Sequence, residues 1–512
     1  MTRVALASSS QISADAGAEI ARAGGNAVDA AIAAAMVSAI SEPGVCALGA
    51  GAYLTIWPVS GDPVTIDANV AVPGIGLEKE QLREMQLHSG RDVFMEYGGG
   101  IRTIVGHGSV ATPGALAGCD LASKRYGALP WSPLLEPAIN WARQGFPLSQ
   151  ASYNYLKYSH ELVFGWNQQS YAALHDENGK VIRPPRLVHV EGLADSLEQI
   201  AAQGVSCFYR GDIAKLMVAD IEENGGALTI ADLAEYEALP RPCLRTRIQQ
   251  WELATNPAPA IGGATLAAML ALMDADMADD WNAAEVARLA AVQLAVLGFR
   301  RDHLTNVDNP GPEIEELLSL AGSGRLDGMT APSTVHVSAV DSTGLACAIT
   351  MSAGYGSGVM PPGTGIWLNN CLGELELNAS GLAADPPGRR LPSNMAPCVA
   401  RSDNGRSLAI GSPGADRITS AILVTLLNFV HHGVSLPAAI EAPRLHVEYG
   451  DNGWRVAHEP GLSVEGIALP VRGFDALSMY FGGVGATLLH RDGTLEAAAD
   501  PRRTGGTVIT SA

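Results

Sequence analysis

Positive charge is scarce in this 512-residue chain. Lysine and arginine together number 33 against 53 aspartates and glutamates, which gives a formal net charge of −20 at neutral pH. Nucleic acids and anionic membranes are bound through clustered basic residues, so this deficit argues against both as partners. The acidic balance otherwise favours solubility and carries no information about the fold.

Cysteine is also sparse, and its pattern is irregular. The seven cysteines are scattered, odd in number and contain no C-x-x-C pair: Cys46, Cys119, Cys207, Cys243, Cys347, Cys371 and Cys398. This usage predicts reduced, mostly buried thiols and argues against a zinc site. The twelve histidines are dispersed as well. The pattern therefore implies no metal and no organic cofactor.

Long apolar runs are absent too. The most apolar early stretch covers residues 27–40, shorter than the roughly 20 apolar residues that a membrane-spanning helix needs. Residues 1–3 are followed by a short Ser-rich segment rather than by the apolar core of a secretory signal. A cytoplasmic protein is therefore expected. A dinucleotide fingerprint is also lacking, because the glycines at 49–51 precede a strand instead of linking a strand to a helix.

The chain does contain the makings of a large core. With 47% hydrophobic residues, 57 Gly and 30 Pro, its composition is that of a globular protein. Apolar residues at three- and four-residue spacing predict a mostly helical chain up to about residue 300. Asn26 is predicted to cap an Ala-rich helix over residues 27–40, with Asp29 at its third position, and this helix is expected to pack against a sheet. Residues 309–333 are the expected internal boundary.

The stretch from Ser333 to Ser352 is the centre of the sequence. Apolar and polar residues alternate over 335–339, a turn follows at 342–344, and a second strand runs over 345–351. With a three-residue loop, Thr334 faces Ser352 across the hairpin with Cβ atoms roughly 5 Å apart. Two hydroxyl groups would then meet where the first strand begins. Spacing alone favours the simpler interpretation, in which Thr334 merely opens a strand.

A strand, a turn and a helix follow one another near residue 410. Residues 408–410 are predicted as a strand, Gly411 to Gly414 as the turn, and residues 415–432 as an amphipathic helix. Helix N-termini carry unsatisfied N–H groups and a partial positive charge. Such a turn can hold a carboxylate, a phosphate or a developing oxyanion. A plain strand-to-helix turn is at least as common an interpretation.

Several short motifs together resemble the γ-glutamyltranspeptidase (glutathione hydrolase) family of N-terminal-nucleophile hydrolases. Each motif is weak alone, but their order and spacing over nearly the whole chain are highly specific. They are Gly24–Ala31, Tyr126–Trp131, Phe208–Gly211, Thr334–Asp341, Leu368–Asn370, Pro392–Pro397, Gly411–Gly414 and Ala442–Arg444.

The resemblance implies a four-layer αββα sandwich, of the α/β (α+β) class, made as one precursor and folded as one unit. Cleavage between Ser333 and Thr334 would leave a mostly helical large subunit, residues 1–333, intertwined with a small subunit, residues 334–512. Thr334 would then attack a substrate amide, activated by its freed α-amino group with a pKa of roughly 7.7–8.0. Water or an acceptor amine would resolve the acyl-enzyme, and further homo-oligomerisation is left open.

The same resemblance implies the remaining catalytic groups. Ser352 matches the family's second hydroxyl, which orients and activates the threonine. Gly414 and Ala415 match the oxyanion turn at the start of a helix. Alanine in place of the second glycine is compatible with that role, because the backbone N–H makes the bond.

The acyl-binding positions match the family less completely. Glu374 matches the acidic residue that holds a substrate amino group, and Ser393 and Asn394 match two serines near the α-carboxylate. Asn69, however, stands where the family has a carboxylate-binding Arg, and Asn offers neither the charge nor the bidentate fork of a guanidinium. Cys371 replaces a polar Gln. The resemblance thus implies that the catalytic residues are retained and that fewer side chains are suited to recognising a glutamyl group.

Three functions follow from these observations. The first is a self-processing amidohydrolase or acyltransferase for a γ-glutamyl, glutathione-like or related small acyl amide, with water as the expected acceptor. The second is an acylase for a different N-acyl amide, of the cephalosporin-acylase kind, which Asn69 and Cys371 motivate. The third is an uncleaved homologue that only binds a metabolite.

Overall fold

The chain is built around two antiparallel β-sheets. The structure, a computed structural model, describes residues 2–97, 100–274, 277–304, 309–323, 334–378, 385–450 and 453–511. The strands are β1 (Val4–Ser8), β2 (Gly51–Trp57), β3 (Val64–Ala68), β4 (Arg91–Met95), β5 (Ile101–Val105), β6 (Phe146–Pro147), β7 (Leu187–Val188), β8 (Leu239–Pro242), β9 (Leu244–Ile248), β10 (Trp251–Thr255), β11 (Val335–Asp341), β12 (Ala346–Ser352), β13 (Cys398–Ser402), β14 (Ser407–Gly411), β15 (Leu445–Gly450), β16 (Gly453–His458), β17 (Val471–Gly473), β18 (Gly485–Leu489), β19 (Leu495–Ala499) and β20 (Gly506–Ile509).

Helices cover the outer faces of both sheets. They are α1 (Gln11–Arg22), α2 (Ala27–Ser41), α3 (Lys79–His88), α4 (Ala115–Tyr126), α5 (Trp131–Gln144), α6 (Gln150–Ser159), α7 (Gln168–Leu174), α8 (Leu193–Gln203), α9 (Ser206–Tyr209), α10 (Asp212–Glu223), α11 (Ile230–Glu235), α12 (Gly262–Asp274), α13 (Ala283–Phe299), α14 (Gly311–Ser323), α15 (Arg417–Val430) and α16 (Leu436–Glu441), with π-helical turns at His160–Phe164 and Arg300–Leu304. Within the described ranges, none of these helices has the length and apolar character needed to cross a membrane.

Each of the two large sheets contains strands from both sides of Thr334. The seven-stranded sheet has the order β20-β1-β11-β12-β2-β3-β8, and the six-stranded sheet has the order β19-β18-β14-β13-β10-β9. Neither sheet can therefore be completed by residues 1–333 or by residues 334–512 alone. The chain folds as one unit.

Four layers result from the way the helices and sheets pack. Helices α1, α2 and α4 lie on the seven-stranded sheet, whereas α12 and α15 lie on the six-stranded sheet. Two large apolar cores lie between the helices and the sheets, and a smaller third core lies between the two sheets. Most residues of this third core are small: Ala5, Trp57, Ala254, Val340, Ala346, Ala348, Val399, Ala409, Leu489 and Leu495. Small side chains let the sheets approach closely. The predicted four-layer αββα sandwich is confirmed.

The central hairpin has the predicted register. Val335 pairs with Met351, and Val340 pairs with Ala346. The Asp341 N–H donates to the Leu345 carbonyl at 3.1 Å, so the loop is the three residues 342–344. Continuing the same register by one residue places Thr334 opposite Ser352.

The Ala-rich helix α2 begins and packs as expected. The Asn26 side chain accepts hydrogen bonds from Val28 N and Asp29 N at 2.9 and 3.2 Å, and Asp29 Oδ2 accepts from Asn26 N at 2.9 Å. All fifteen residues of α2 are buried, against β11 and β12 among others. Asp341 Oδ2 also accepts from Ala27 N at 3.3 Å, which ties the hairpin turn to the start of this helix.

One predicted helix boundary is wrong. The helix expected from Ala415 begins at Arg417, because Gly414 and Ala415 have φ angles of 126° and 72°, outside the right-handed helical region. The internal boundary expected over residues 309–333 stays a prediction, and its first part forms α14. Ser333, on one side of the predicted cleavage site, lies outside the described residues.

Candidate active site

Thr334 lies immediately before β11 and is 2% exposed. Because side chains alternate along a strand, Thr334 shares a face with His336 and Ser338. The His336 ring lies against Gly411, where an added Cβ would come within 2.3 Å of it. Gly411 is the last residue of β14, three positions before Gly414. Thr334 therefore faces the six-stranded sheet near the end of β14.

A narrow cavity lies in front of Thr334. Its volume is about 20 Å³, enough for about one water molecule. The structure brings six of the predicted site residues together around it: Asn69, Thr334, Ser352, Glu374, Ser393 and Asn394. The other lining residues are Val70, Cys371, Leu377, Pro392 and Met395. Residues from both sides of the predicted cleavage site thus build one cavity.

Ser352 closes the cavity at the end of β12. Its Oγ accepts a hydrogen bond from the Gly354 N–H at 3.1 Å. This bond fixes the hydroxyl on the residue that the hairpin register places opposite Thr334. The arrangement fits a hydroxyl that orients the threonine, and that role stays a prediction.

Glu374 and Glu376 form an acidic pair beside the cavity. Glu374 packs over Gly354, where an added Cβ would lie 2.9 Å from its Oε1. Burial, and next the neighbouring Glu376, raise the pKa of Glu374 well above its ordinary value. Burial raises the pKa of Glu376 to about 7, although the Tyr355 hydroxyl donates to its Oε1 at 2.5 Å and lowers it. Such a pair can accept a cationic group by releasing a proton.

The wall formed by Ser393 and Asn394 is anchored to the start of α12. The Ser393 carbonyl accepts hydrogen bonds from Ile261 N at 3.0 Å and Gly262 N at 3.1 Å. Its Oγ accepts from Met395 N at 3.2 Å. These bonds fix the segment on a helix N-terminus, whose partial positive charge suits a nearby anion.

Arg300 supports this wall from behind. It is 1% exposed, and its Nη1 donates to Asn394 Oδ1 at 3.1 Å. Burial lowers its pKa to about 10, partly offset by Asp416, so the guanidinium stays charged at neutral pH. Sequence reasoning missed Arg300, although a signal existed. Arg300 directly follows α13, and it comes three and four positions after Leu297 and Val296, which are buried in that helix. This spacing predicts that Arg300 continues the buried face of the helix.

Asn69 lines the cavity, but its amide is engaged with the backbone. Its Nδ2 donates to the Leu391 carbonyl at 2.8 Å, and the Asn69 backbone carbonyl accepts from the Tyr236 hydroxyl at 2.6 Å. The side chain carries no charge and is held in a fixed position. Asn69 therefore acts as a support for the Leu391 segment as well as a wall of the cavity.

The predicted oxyanion turn precedes its helix instead of starting it. Gly414 and Ala415 have positive φ, and Asp416 returns to −65°. The sign of φ changes between Ala415 and Asp416, and neighbouring residues with φ of opposite sign can point their N–H groups to one side as an anion-binding concavity. The turn is held from outside, because Gly483 N donates to Ser412 Oγ at 3.0 Å. Neither Gly414 nor Ala415 lines the Thr334 cavity, so their role stays a prediction.

His336 is a support rather than a base. Its Nδ1 lies 2.9 Å from Thr350 Oγ1, and its Nε2 lies 2.8 Å from Ser338 Oγ. Burial lowers the pKa of His336 to about 3, so the ring is neutral. Ser338 Oγ in turn donates to the Gly485 carbonyl at 3.0 Å. The chain of bonds links the two sheets behind Thr334.

The structure also bears on the predicted thiols. All seven cysteines are free and six are buried, Cys243 being half-buried, which confirms the predicted mostly buried thiols. Over the ranges that the structure covers, no group of three or more His, Cys, Asp or Glu residues is arranged to hold a metal ion.

Known proteins resemble this chain over almost its whole length. A family model described as Gamma-glutamyltranspeptidase matches residues 13–510. The glutathione hydrolase proenzyme of Pseudomonas aeruginosa is 30% identical, over 98% of this chain and 93% of that protein. The Acylase ACY 1 proenzyme of Pseudomonas sp. strain SE83 is 28% identical, over 97% and 91%.

A solved structure agrees with the fold. The crystal structure of cephalosporin acylase from Bacillus halodurans superposes with a TM-score of 0.82 at 22% identity, over 99% of this chain and 96% of that one. The matched family model, the relatives and the arrangement of strands around Thr334 lead to one assignment. The chain belongs to the γ-glutamyltranspeptidase family.

Proposed function

We propose that this chain is a precursor that cleaves itself before Thr334 and then works as an N-terminal-threonine amidohydrolase. The observation that carries the proposal is the cavity where Thr334, Ser352, Glu374, Ser393 and Asn394 converge. Before cleavage the Thr334 nitrogen is an amide and cannot serve as a base. Afterwards it is an α-amine with a pKa of roughly 7.7–8.0. Two full-length relatives are named as proenzymes, which supports self-processing.

The same hydroxyl performs two acyl transfers. In the precursor, Thr334 Oγ1 attacks the Ser333 carbonyl, the peptide C–N bond breaks, and water hydrolyses the resulting ester. In the mature enzyme, the α-amine takes the hydroxyl proton while Oγ1 attacks a substrate amide. The proton passes to the leaving amine, and the acyl group stays on Thr334 as an ester. Water, or an acceptor amine in the transfer reaction, releases it.

The substrate we favour is a γ-glutamyl or related small acyl amide. Glu374 would take the ammonium group of a glutamyl chain, while Ser393 and Asn394 would hydrogen-bond its carboxylate. Ser393 is suited to this because its Oγ accepts the Met395 N–H, which leaves its own proton for donation. The glutathione hydrolase relatives support this substrate class.

A second candidate is an acylase for an acyl chain that lacks one of these two groups. The observation that favours it is the bond from Asn69 Nδ2 to the Leu391 carbonyl, which leaves position 69 without a charge for the substrate. The acylase named among the relatives supports it as well.

Processing is tested by a denaturing gel and intact mass of the purified protein. We expect two fragments, residues 1–333 and 334–512, with Thr334 as a new N-terminus. The Thr334→Ala variant should remain one chain and lose all turnover, because it has no nucleophile. Thr343→Ala is the matched control, since Thr343 is exposed in the hairpin turn and should not affect cleavage.

Two outcomes would contradict the proposal. A processed Thr334→Ala protein would exclude Thr334 as the nucleophile of cleavage. An intact wild-type chain that binds γ-glutamyl compounds without turnover would instead support a metabolite-binding homologue. Turnover of glutaryl anilide, with no turnover of γ-glutamyl anilide, would favour the acylase.

A further inference from the structure

Arg300 is a buried charge for which the mechanism above gives no role. It lies at the C-terminal end of α13, 1% exposed, with Nη1 3.1 Å from Asn394 Oδ1. A buried guanidinium is costly unless it is paired and hydrogen-bonded. Because the guanidinium contacts Asn394, a residue that lines the Thr334 cavity, its burial places a positive charge directly behind that cavity.

The contact determines which way the Asn394 amide faces. A guanidinium only donates hydrogen bonds, so the amide oxygen must point to Arg300. The amide nitrogen must then point to the opposite edge of the planar group. Asn394 lines the cavity, and an amide NH₂ is a donor that suits a carboxylate oxygen. A free amide could turn by half a rotation and present its oxygen, which would repel the same anion.

Arg300 shares its nearby carboxylate with a second guanidinium. Asp416 is the nearby carboxylate, and it is shared with Arg417, whose Nη1 donates to Asp416 Oδ1 at 2.5 Å, and with His446 Nε2 at 2.9 Å. Burial alone would raise the pKa of Asp416, but Arg417, His446 and Arg300 hold it below its ordinary value. Two guanidinium groups therefore share one carboxylate behind the wall, and the half-buried Glu376 lies towards Arg417.

We propose that Arg300 is a positioning residue that selects acyl donors with a terminal carboxylate. It orients the Asn394 amide towards the cavity and supplies, from behind the wall, positive charge that Asn69 does not. This inference rests on the proposed function, because the carboxylate belongs to the acyl group that Thr334 receives.

Four p-nitroanilide donors separate the two recognition groups. γ-Glutamyl has both carboxylate and amine, glutaryl has only the carboxylate, 4-aminobutyryl has only the amine, and butyryl has neither. For Arg300→Gln we expect KM to rise at least tenfold with γ-glutamyl and glutaryl, with kcat within about threefold of wild type. With 4-aminobutyryl and butyryl, KM should change less than twofold.

The neighbouring Arg301 provides a matched control. Its side chain is 44% exposed and lies over the Tyr449 ring, away from the cavity. Arg301→Gln removes the same charge one position later and should leave the four KM values unchanged. Arg300→Lys retains the charge but not the planar fork, so it should restore part of the preference for carboxylate donors.

Specific outcomes overturn the inference. An equal loss with all four donors, or a loss in kcat alone, would reduce Arg300 to a structural residue. Lost self-cleavage and a lowered melting temperature would show that Arg300→Gln does not fold. The same comparison is then made with Arg300→Lys. An equal effect of Arg300→Lys on all four donors would also refute the inference. If the wild type turns over none of the donors, the proposed function fails. Glutarate binding to wild type and to Arg300→Lys, by calorimetry, then decides the inference alone.

Discussion

Substitution of Glu376 by Gln tests the acidic pair beside the cavity. Glutamine retains an acceptor for the Tyr355 hydroxyl, which donates to Glu376 Oε1 at 2.5 Å, and removes only the ionisable group. The pKa of Glu376 is raised to about 7, chiefly by burial. A carboxyl with a raised pKa in the folded state stabilises the fold below its unfolded pKa. It loses that contribution as the pH rises through the folded pKa.

The magnitude follows from the two pKa values. A rise from 4.5 to about 7 corresponds to about 3 kcal/mol, at about 1.4 kcal/mol per factor of ten. Glu376 is half-buried, so solvent screening reduces the expected effect to about 1–2 kcal/mol. The wild type should lose this much stability between pH 4.5 and pH 8, whereas Glu376→Gln should not.

Urea unfolding of the Thr334→Ala precursor is the cleanest measurement, because one chain unfolds and no subunits separate. We expect Glu376→Gln to raise the free energy of unfolding by about 1–2 kcal/mol at pH 8 and to leave it nearly unchanged at pH 5. Glu465→Gln is the control, since Glu465 is exposed and its substitution should change stability by less than about 0.5 kcal/mol at either pH. A loss of stability at pH 8, or the same gain at both pH values, would refute the reasoning.

Two further predictions concern Ser352 and Gly414. Ser352→Ala should slow self-cleavage and turnover by about 10²-fold or more, because it removes the hydroxyl opposite Thr334; Ser352→Thr should retain part of both rates, and an unaffected Ser352→Ala enzyme would contradict the assignment. Gly414→Ala should cost at least about 2 kcal/mol in urea unfolding, because its φ is 126° and the new Cβ would lie 2.6 Å from Gly482 Cα. Gly433→Ala, with φ of 64° and open space around the Cβ, should cost only about 1 kcal/mol, and equal costs for the two variants would refute the packing argument.

Much of the fold could be predicted where the relevant contacts are local. The register of the hairpin follows from a three-residue loop, and so Thr334 could be placed opposite Ser352 without coordinates. The cap of α2 follows from Asn26 and Asp29, which are three residues apart. The family's motifs, read in order, led to the four-layer sandwich. The two-subunit boundary at 333 and the cytoplasmic location stay predictions.

Local sequence pattern did not predict the structure where backbone conformation or a tertiary contact determines it. Amphipathic spacing extended α15 back to Ala415, but that residue has positive φ, which no hydrophobic pattern reveals. The departure of Asn69 from the family's Arg stays a prediction from the resemblance. The bond of Asn69 to the Leu391 carbonyl, however, joins residues more than three hundred positions apart.

The pairing of Thr334 with Ser352 and the layered fold were thus encoded in short-range pattern and motif order, because strand pairing and capping depend on residues that are neighbours along the chain. The electrostatic character of the acyl site was not. It arises because the end of α13 meets the segment before β13 in space, which buries Arg300 against Asn394, and because the fold buries the neighbouring Glu374 and Glu376. Burial and neighbouring charges set the pKa values of Glu374 and Glu376. A hydrogen bond from Arg300 fixes the orientation of the Asn394 amide. Neither effect can be inferred before the chain is folded.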